Sequence, residues 1–210
     1  MPEEINRLVT DAITDHFFTT SDVANGHLKS AGVANDRIHF VGNTMIDTLL
    51  ANRSRFEQPP CWTAIGLRSQ AYLVITLHRP ANVDAPAQLK ALLDALISHS
   101  ESAPLVFPVH PRTRKAIEAI GYTHERLHLI DPLGYLSFNY LVEKAKAVVT
   151  DSGGVTEETT VMGVPCLTLR DSTERPETIT IGTNELIGTD PDAIGPALAK
   201  VFDGSWKKGT

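Results

Sequence analysis

From Ala71 to the C-terminus, short runs of β-branched and aliphatic residues alternate with longer segments of helical period. That rhythm belongs to repeated βα units around a parallel sheet, so the fold class is α/β. The predicted strands are residues 72–77, 105–109, 127–130, 147–150, 166–169 and 185–187. Each is short and apolar, as burial on both faces of a parallel sheet requires. Between them, residues 88–98, 112–120, 136–146, 155–162 and 193–202 have helical spacing or length. Six strands with interleaved helices amount to one Rossmann-like domain with helices on both faces of the sheet. No internal repeat or low-complexity tract is present.

Residues 1–56 read differently, with helices at 3–13, 22–30 and 44–51 and strands at 16–19 and 37–41. That is too little sheet for a domain of its own. The segment is expected to dock on the main domain or to be the remnant of a truncated one. Residues 57–70, containing PPCW and many polar side chains, read as a linker, and 71–210 as the main domain.

Lys and Arg number 19 against 25 Asp and Glu, a net charge of -6, and neither sign forms a long block. An extended nucleic-acid footprint is disfavoured, whereas a compact anion site built from a few Arg side chains and helix amides is not. Cys61 and Cys166 lie far apart without metal-ligand spacing, which suits a reducing cytoplasm. The acidic, amphipathic start MPEEINRLVT is no export signal, and no apolar run approaches the ~20 residues needed to span a bilayer, so no membrane partner is expected.

The strongest local signal is AVVTDSGGVTEE, residues 147–158, where an apolar strand ends in a small-residue turn leading straight into a helix. Gly153 and Gly154 let backbone approach a ligand closely, the following amides point out of the helix start, and Ser152 can donate to an anionic oxygen. The same residues also suit a plain helix cap, with Asp151 and Ser152 capping and the glycines turning. Glu158 tips the balance, because a carboxylate one turn inside a helix whose Val155 and Met162 pack inward needs donors. Two vicinal ribose hydroxyls would serve, and so would a salt bridge.

In LRDSTERPE, residues 169–177, Arg170 and Arg175 flank a polar loop and could clamp a diphosphate, or could pair internally with Asp171, Glu174 and Glu177. TLHRP (76–80) and FPVHP (107–111) each end a strand with a histidine, placing His78 and His110 at the edge that carries DSGG. Arg79 adds a cation there. No HxH, HExxH or CxxC pattern suggests a metal, no GxGxxG follows a strand, and Ser152 does not sit in GxSxG. The residues by themselves lead to a nucleotide-diphosphate site without cofactor.

Taken in order, MPEEINR, RIHFVGNTMID, TLHRPANVD, FPVHPRTR, LIDPLGYLSF, TDSGGVTEE, MGVPCLTLRDSTERPE and GTNELIGTD resemble the non-hydrolysing, bacterial-type UDP-N-acetylglucosamine 2-epimerases. The resemblance covers essentially the whole chain, and DSGGxxEE followed by RDxTERPE is specific in combination. It implies one half of a two-domain GT-B architecture, acting on UDP-GlcNAc, UDP-ManNAc and UDP in a cytoplasmic homodimer that serves cell-envelope polysaccharide synthesis. The implied reaction is anti elimination of UDP across C1 and C2, then re-addition with the proton returned to the other face.

By the same resemblance, Ser152, Gly153, Glu158 and Arg175 bind UDP, with Glu158 on ribose and Ser152 and Arg175 on diphosphate. Phe138 lies against uracil, and His78 stands near the diphosphate and the leaving oxygen. Arg79 and His110 match residues that in some members also touch an activating second UDP-GlcNAc. Glu3 matches one of three proton-transfer carboxylates and Arg7 an active-site arginine. The family carries a further domain before the segment matching Met1 and a terminal helix after the segment matching WKKGT, so the chain is expected to be a fragment with little or no turnover. Ala81 stands where Glu is usual after HRP, and TTVMGVP where many members have APSLGKP. The competing readings are a stand-alone nucleotide-sugar binding module, a GT-B glycosyltransferase half and a hydrolysing epimerase.

Overall fold

The computed structural model describes residues 2–209, with side chains from Glu4 onward. They form two compact units that divide between Thr48 and Leu49. The first holds α1 (Pro2–Ile13), β1 (Phe17–Thr19), α2 (Asp22–Ser30), β2 (Ile38–Phe40) and the start of α3 (Thr44–Asn52). Its two strands pair in parallel, Phe17 opposite Ile38 and Thr19 opposite Phe40. Ser21 starts α2 by accepting the Ala24 amide at 3.2 Å, a side-chain cap for one of the helix's orphan donors.

The second unit takes up the rest of α3 and continues through α4 (Pro60–Ile65), β3 (Leu73–Thr76), α5 (Pro80–Val83), α6 (Pro86–His99), β4 (Leu105–Pro108), α7 (Pro111–Ala119) and β5 (Leu127–Ile130). It then runs through α8 (Tyr135–Lys144), β6 (Ala147–Thr150), α9 (Gly153–Met162), β7 (Cys166–Thr168), α10 (Pro176–Thr180), β8 (Asn184–Leu186) and α11 (Ile194–Phe202). The six strands make one sheet in the order β5-β4-β3-β6-β7-β8, every pair parallel. Counted from β3, this is the 3-2-1-4-5-6 order of a doubly wound Rossmann sheet, and its topological switch point lies between β3 and β6.

Strand alternation builds two cores. Leu73, Ile75 and Leu77 face one side with Leu105, Phe107, Ala147 and Val149, under α6, α7 and α11. Tyr72, Val74, Val106 and Val148 face the other, under α8, with Trp62 of α4 and Val155 and Met162 of α9. Residues 57–70 are therefore packed: α4 begins on Pro60 and ends on Gly66 in the left-handed region. Trp62 meets both Tyr72 and Tyr140 edge to face, with ring centroids 5.6 and 5.4 Å apart.

The hydroxyl of the fully buried Tyr72 donates to the Leu141 carbonyl at 2.5 Å, tying β3 to α8. Burial pushes this phenol well above its usual range. Tyr72→Phe strands that buried carbonyl and is expected to lower unfolding free energy by about 1–2 kcal/mol, read as a lower urea midpoint at unchanged slope.

The last strand sits one residue earlier than the apolar pattern predicts, because Asn184 is buried in the sheet. Its side-chain oxygen accepts from Thr168 at 2.5 Å and its amide donates to Thr178 at 3.2 Å. Among the described residues, no helix is long and apolar enough to cross a membrane.

Candidate functional site

Three strand-to-helix junctions at the carboxyl edge of the sheet share one device. Arg79, His110 and Arg175 each precede a proline at the first position of a helix, α5, α7 and α10 respectively. Proline presets the helical φ and keeps the preceding residue out of the helical region. Each junction therefore fixes a cationic or imidazole residue in non-helical backbone where a strand gives way to a helix.

At the switch point the ends of β3 and β6 are bonded together by Asp151, which is fully buried. Its carboxylate accepts from the amides of His78 (3.0 Å) and Arg79 (2.9 Å) and from the Asn82 side-chain amide (3.1 Å). The His78 ring adds a fourth contact, Nδ1 to Oδ1 at 2.7 Å. Arg79 donates from Nε to the Asp151 carbonyl at 3.1 Å. Asp151 thus holds the loop after β3, and capping of α9 is not its role.

Ser152 is the residue before α9, and its hydroxyl caps none of that helix's amides. The first amides of a helix have no intrahelical acceptor, so the amides after Ser152 and its own hydroxyl are donors available to an anion. A β-carbon on Gly153 would stand 3.7 Å from Arg170 Nη1 and 3.9 Å from Glu174 Oε2, so Arg170 and Glu174 lie directly over the helix start. Arg170, itself buried, grips Glu174 with two bonds of 2.9 and 2.6 Å. This guanidinium holds the Glu174 carboxyl below its usual range, with Arg79 acting in the same direction. Of the two sequence readings of this loop, internal pairing is present, and it places a carboxylate between cations beside Gly153.

Glu158 is buried on α9 and accepts from the Tyr135 hydroxyl at 3.1 Å. Burial pushes its carboxyl up, the Tyr135 bond and the Asn139 amide pull it down, and the neighbouring Glu157 charge pushes it up again. The Tyr135 phenol in turn is pushed up to about 12 by its own burial and by Glu158. Arg175 is ion-paired through Nε with the buried Glu157, which brings the loop after β7 onto α9. Phe138, on α8 with Tyr135, packs half-buried against the second core.

His78 and His110 line one cleft of about 370 Å³, with Thr76, Leu77, Pro108 and Arg112. His110 accepts the Arg112 amide at 3.4 Å, and Arg112 is held by Asp84 at 2.6 Å. His78 and Arg79 are therefore joined to Asp151 just before the start of α9, where Ser152, Gly153 and Gly154 lie, while Glu158 and the Glu157-bound Arg175 sit a turn further along that helix, Phe138 is on the neighbouring α8 and His110 is one strand further along the edge. Arg7 lies in the first unit on α1, exposed and bridging Glu4 (2.6 Å) and Asp11 (2.5 Å). The Glu3 side chain lies outside the described residues.

Sequence reasoning missed Asp151 as a clamp, Asn82, Tyr135 and the Glu157–Arg175 pair. Asn82, two residues past the proline of TLHRPAN, is fully buried and reaches both Asp151 and the Leu169 carbonyl, at 3.1 and 3.0 Å. A polar residue at that fixed distance from the histidine was the available signal. Tyr135 and Glu157 gave none, because their partners are on other elements.

A family model described as UDP-N-acetylglucosamine 2-epimerase matches residues 1–209. The UDP-N-acetylglucosamine 2-epimerase of Methanocaldococcus jannaschii is 36% identical over 208 residues, covering 94% of this chain and 57% of that protein. The UDP-2,3-diacetamido-2,3-dideoxy-D-glucuronate 2-epimerase of Pseudomonas aeruginosa is 42% identical over 198 residues, covering 92% of this chain and 54% of that one. A crystal structure of the Methanocaldococcus jannaschii UDP-GlcNAc 2-epimerase with UDP-GlcNAc and UDP superposes with a TM-score of 0.84 at 35% identity, over 100% of this chain and 60% of that one. The chain thus spans little more than half the length of these relatives. With the family model matched along nearly every residue, the chain belongs to the UDP-N-acetylglucosamine 2-epimerase family.

Proposed function

We propose that this chain is the UDP-holding part of a 2-epimerase that interconverts UDP-GlcNAc and UDP-ManNAc by elimination and re-addition of UDP. The observation that carries the reading is the convergence on Gly153: the open start of α9, the Ser152 hydroxyl and Arg170 surround a point where the chain's own Glu174 carboxylate lies. A site that holds one anion between cations and helix amides is chemically suited to a diphosphate. Glu158, one helical turn on, is the acceptor for ribose hydroxyls, and Phe138 offers an apolar face on the adjacent helix. When the C1–O bond breaks, charge grows on the departing UDP, and preorganised donors of this kind stabilise it.

Calorimetric titration with UDP tests this. Binding is expected, with Glu158→Ala weakening it about tenfold or more, the loss of hydrogen bonds to a charged acceptor. A chain that takes up neither UDP nor UDP-GlcNAc contradicts the proposal.

The 42% identity to an enzyme named for a diacetamido glucuronate sugar favours a second reading of the sugar, though not of the nucleotide. Offering both UDP-sugars to the whole enzyme and following the C2 configuration by proton NMR separates them. The family resemblance also supports a cytoplasmic homodimer feeding cell-envelope polysaccharide synthesis. Light scattering on the whole enzyme tests the dimer.

A further inference from the structure

The His78 ring is held by a charge that neither the family match nor the sequence motifs assign to it. We infer that Asp151 is a positioning residue for His78: its carboxylate fixes the imidazole with Nδ1–H turned inward and leaves Nε2 as the ring atom that meets the ligand. The inference rests on the UDP reading only for the identity of that ligand.

Four contacts make Asp151 a rigid platform. Two are backbone amides of the His78–Arg79 turn, one is the buried Asn82 amide, and one is His78 Nδ1 at 2.7 Å. The Asn82 amide is itself pinned by the Leu169 carbonyl at 3.0 Å, so the carboxylate has no freedom to turn away. A carboxylate flanked by N–H donors is an acceptor only, so the imidazole nitrogen beside it must carry a proton. A neutral ring then has its lone pair on Nε2, and a charged ring presents Nε2–H. More than half of the His78 side chain is exposed, on the cleft shared with His110, so Nε2 is open to ligand while Nδ1 is not. Proton exchange with a bound diphosphate or its leaving oxygen is thereby confined to one atom at a fixed position. The same logic of an orienting carboxylate behind a histidine recurs in hydrolytic triads.

Long-range nitrogen–proton NMR on the labelled chain, with His78 assigned by its loss in His78→Gln, reads the tautomer without any ligand. The neutral ring is expected as the Nδ1–H form, and Asp151→Asn, whose amide can donate to Nδ1, is expected to move it toward Nε2–H. A wild-type ring in the Nε2–H form overturns the inference, even if the variant does not fold. A folded Asp151→Asn with an unchanged tautomer overturns it too.

Calorimetry supplies a second, independent readout. Asp151→Asn is expected to weaken UDP binding about tenfold in the wild-type background and to have little further effect in His78→Gln. Full additivity of the two changes shows that Asp151 acts on the fold alone and defeats the inference. Absence of UDP binding in every variant counts against the proposed ligand, while the tautomer still decides the role of Asp151.

Discussion

Replacing Arg175 with alanine is expected to weaken UDP binding by about a hundredfold. Two effects add. On the proposed reading, the Arg175 guanidinium contributes charge-assisted, forked hydrogen bonds to a diphosphate, and losing about 2.7 kcal/mol of such contact is a hundredfold in Kd. Arg175 is also the ion-pair partner of the buried Glu157, which neighbours Glu158 in sequence. Without it, a bound UDP meets an uncompensated carboxylate. The same loss is expected to lower unfolding free energy by about 1–2 kcal/mol. That is less than for a fully buried pair, because nearly a third of the Arg175 side chain remains exposed to solvent. Arg175→Lys keeps the charge but not the fork and is expected to fall between the two. Calorimetry and urea titration on the three proteins measure both effects. Unchanged affinity in Arg175→Ala would assign this residue to Glu157 alone.

The largest loss of stability is expected at Gly182, between α10 and β8. A β-carbon there would collide with the Thr178 carbonyl oxygen and stand 2.6 Å from both Cγ2 and Oγ1 of Thr160. One obstacle is backbone and the other is on α9, so relief requires moving α10 against α9. Gly182→Ala is therefore expected to cost about 3 kcal/mol, at the upper end for overpacking, and to lower Tm by about 6–12 °C. Because α10 begins directly after Arg175, UDP affinity should fall with it. A thermal melt within 2 °C of the parent would show that this junction yields more easily than its contacts indicate.

Much of the second unit is legible in the sequence because parallel strands buried on both faces leave unbroken apolar runs. Residues 127–130 and 147–150 match β5 and β6 at both ends. The short helices α5 and α10 were not legible, since four or five residues carry no period. Their prolines mark where they begin. The helix in residues 57–70 was hidden by polar composition, although Pro60 and Gly66 bracket it and Trp62 anchors it.

At the site, motif residues were readable one loop at a time: DSGG, HRP, VHP and TERP each lie where a strand gives way to a helix. What the sequence does not carry is the joining of those loops. Asp151 reaches back across 73 positions to His78, and Arg175 reaches Glu157 from a different element. Such pairings follow from strand order, which places β6 beside β3 and β7 beside β6. No local spacing reports that order.

If the start of α9 receives the diphosphate of UDP, the amides there must respond to the nucleotide. Amide nitrogen–proton spectra of the labelled chain, recorded while UDP is added, test it most directly. The largest shifts are expected on Ser152, Gly153, Gly154 and Val155, with His78 and Arg79 moving at the same concentrations. Saturating UDP that leaves those amides in place, or moves instead the residues along α6 and α11, would contradict it.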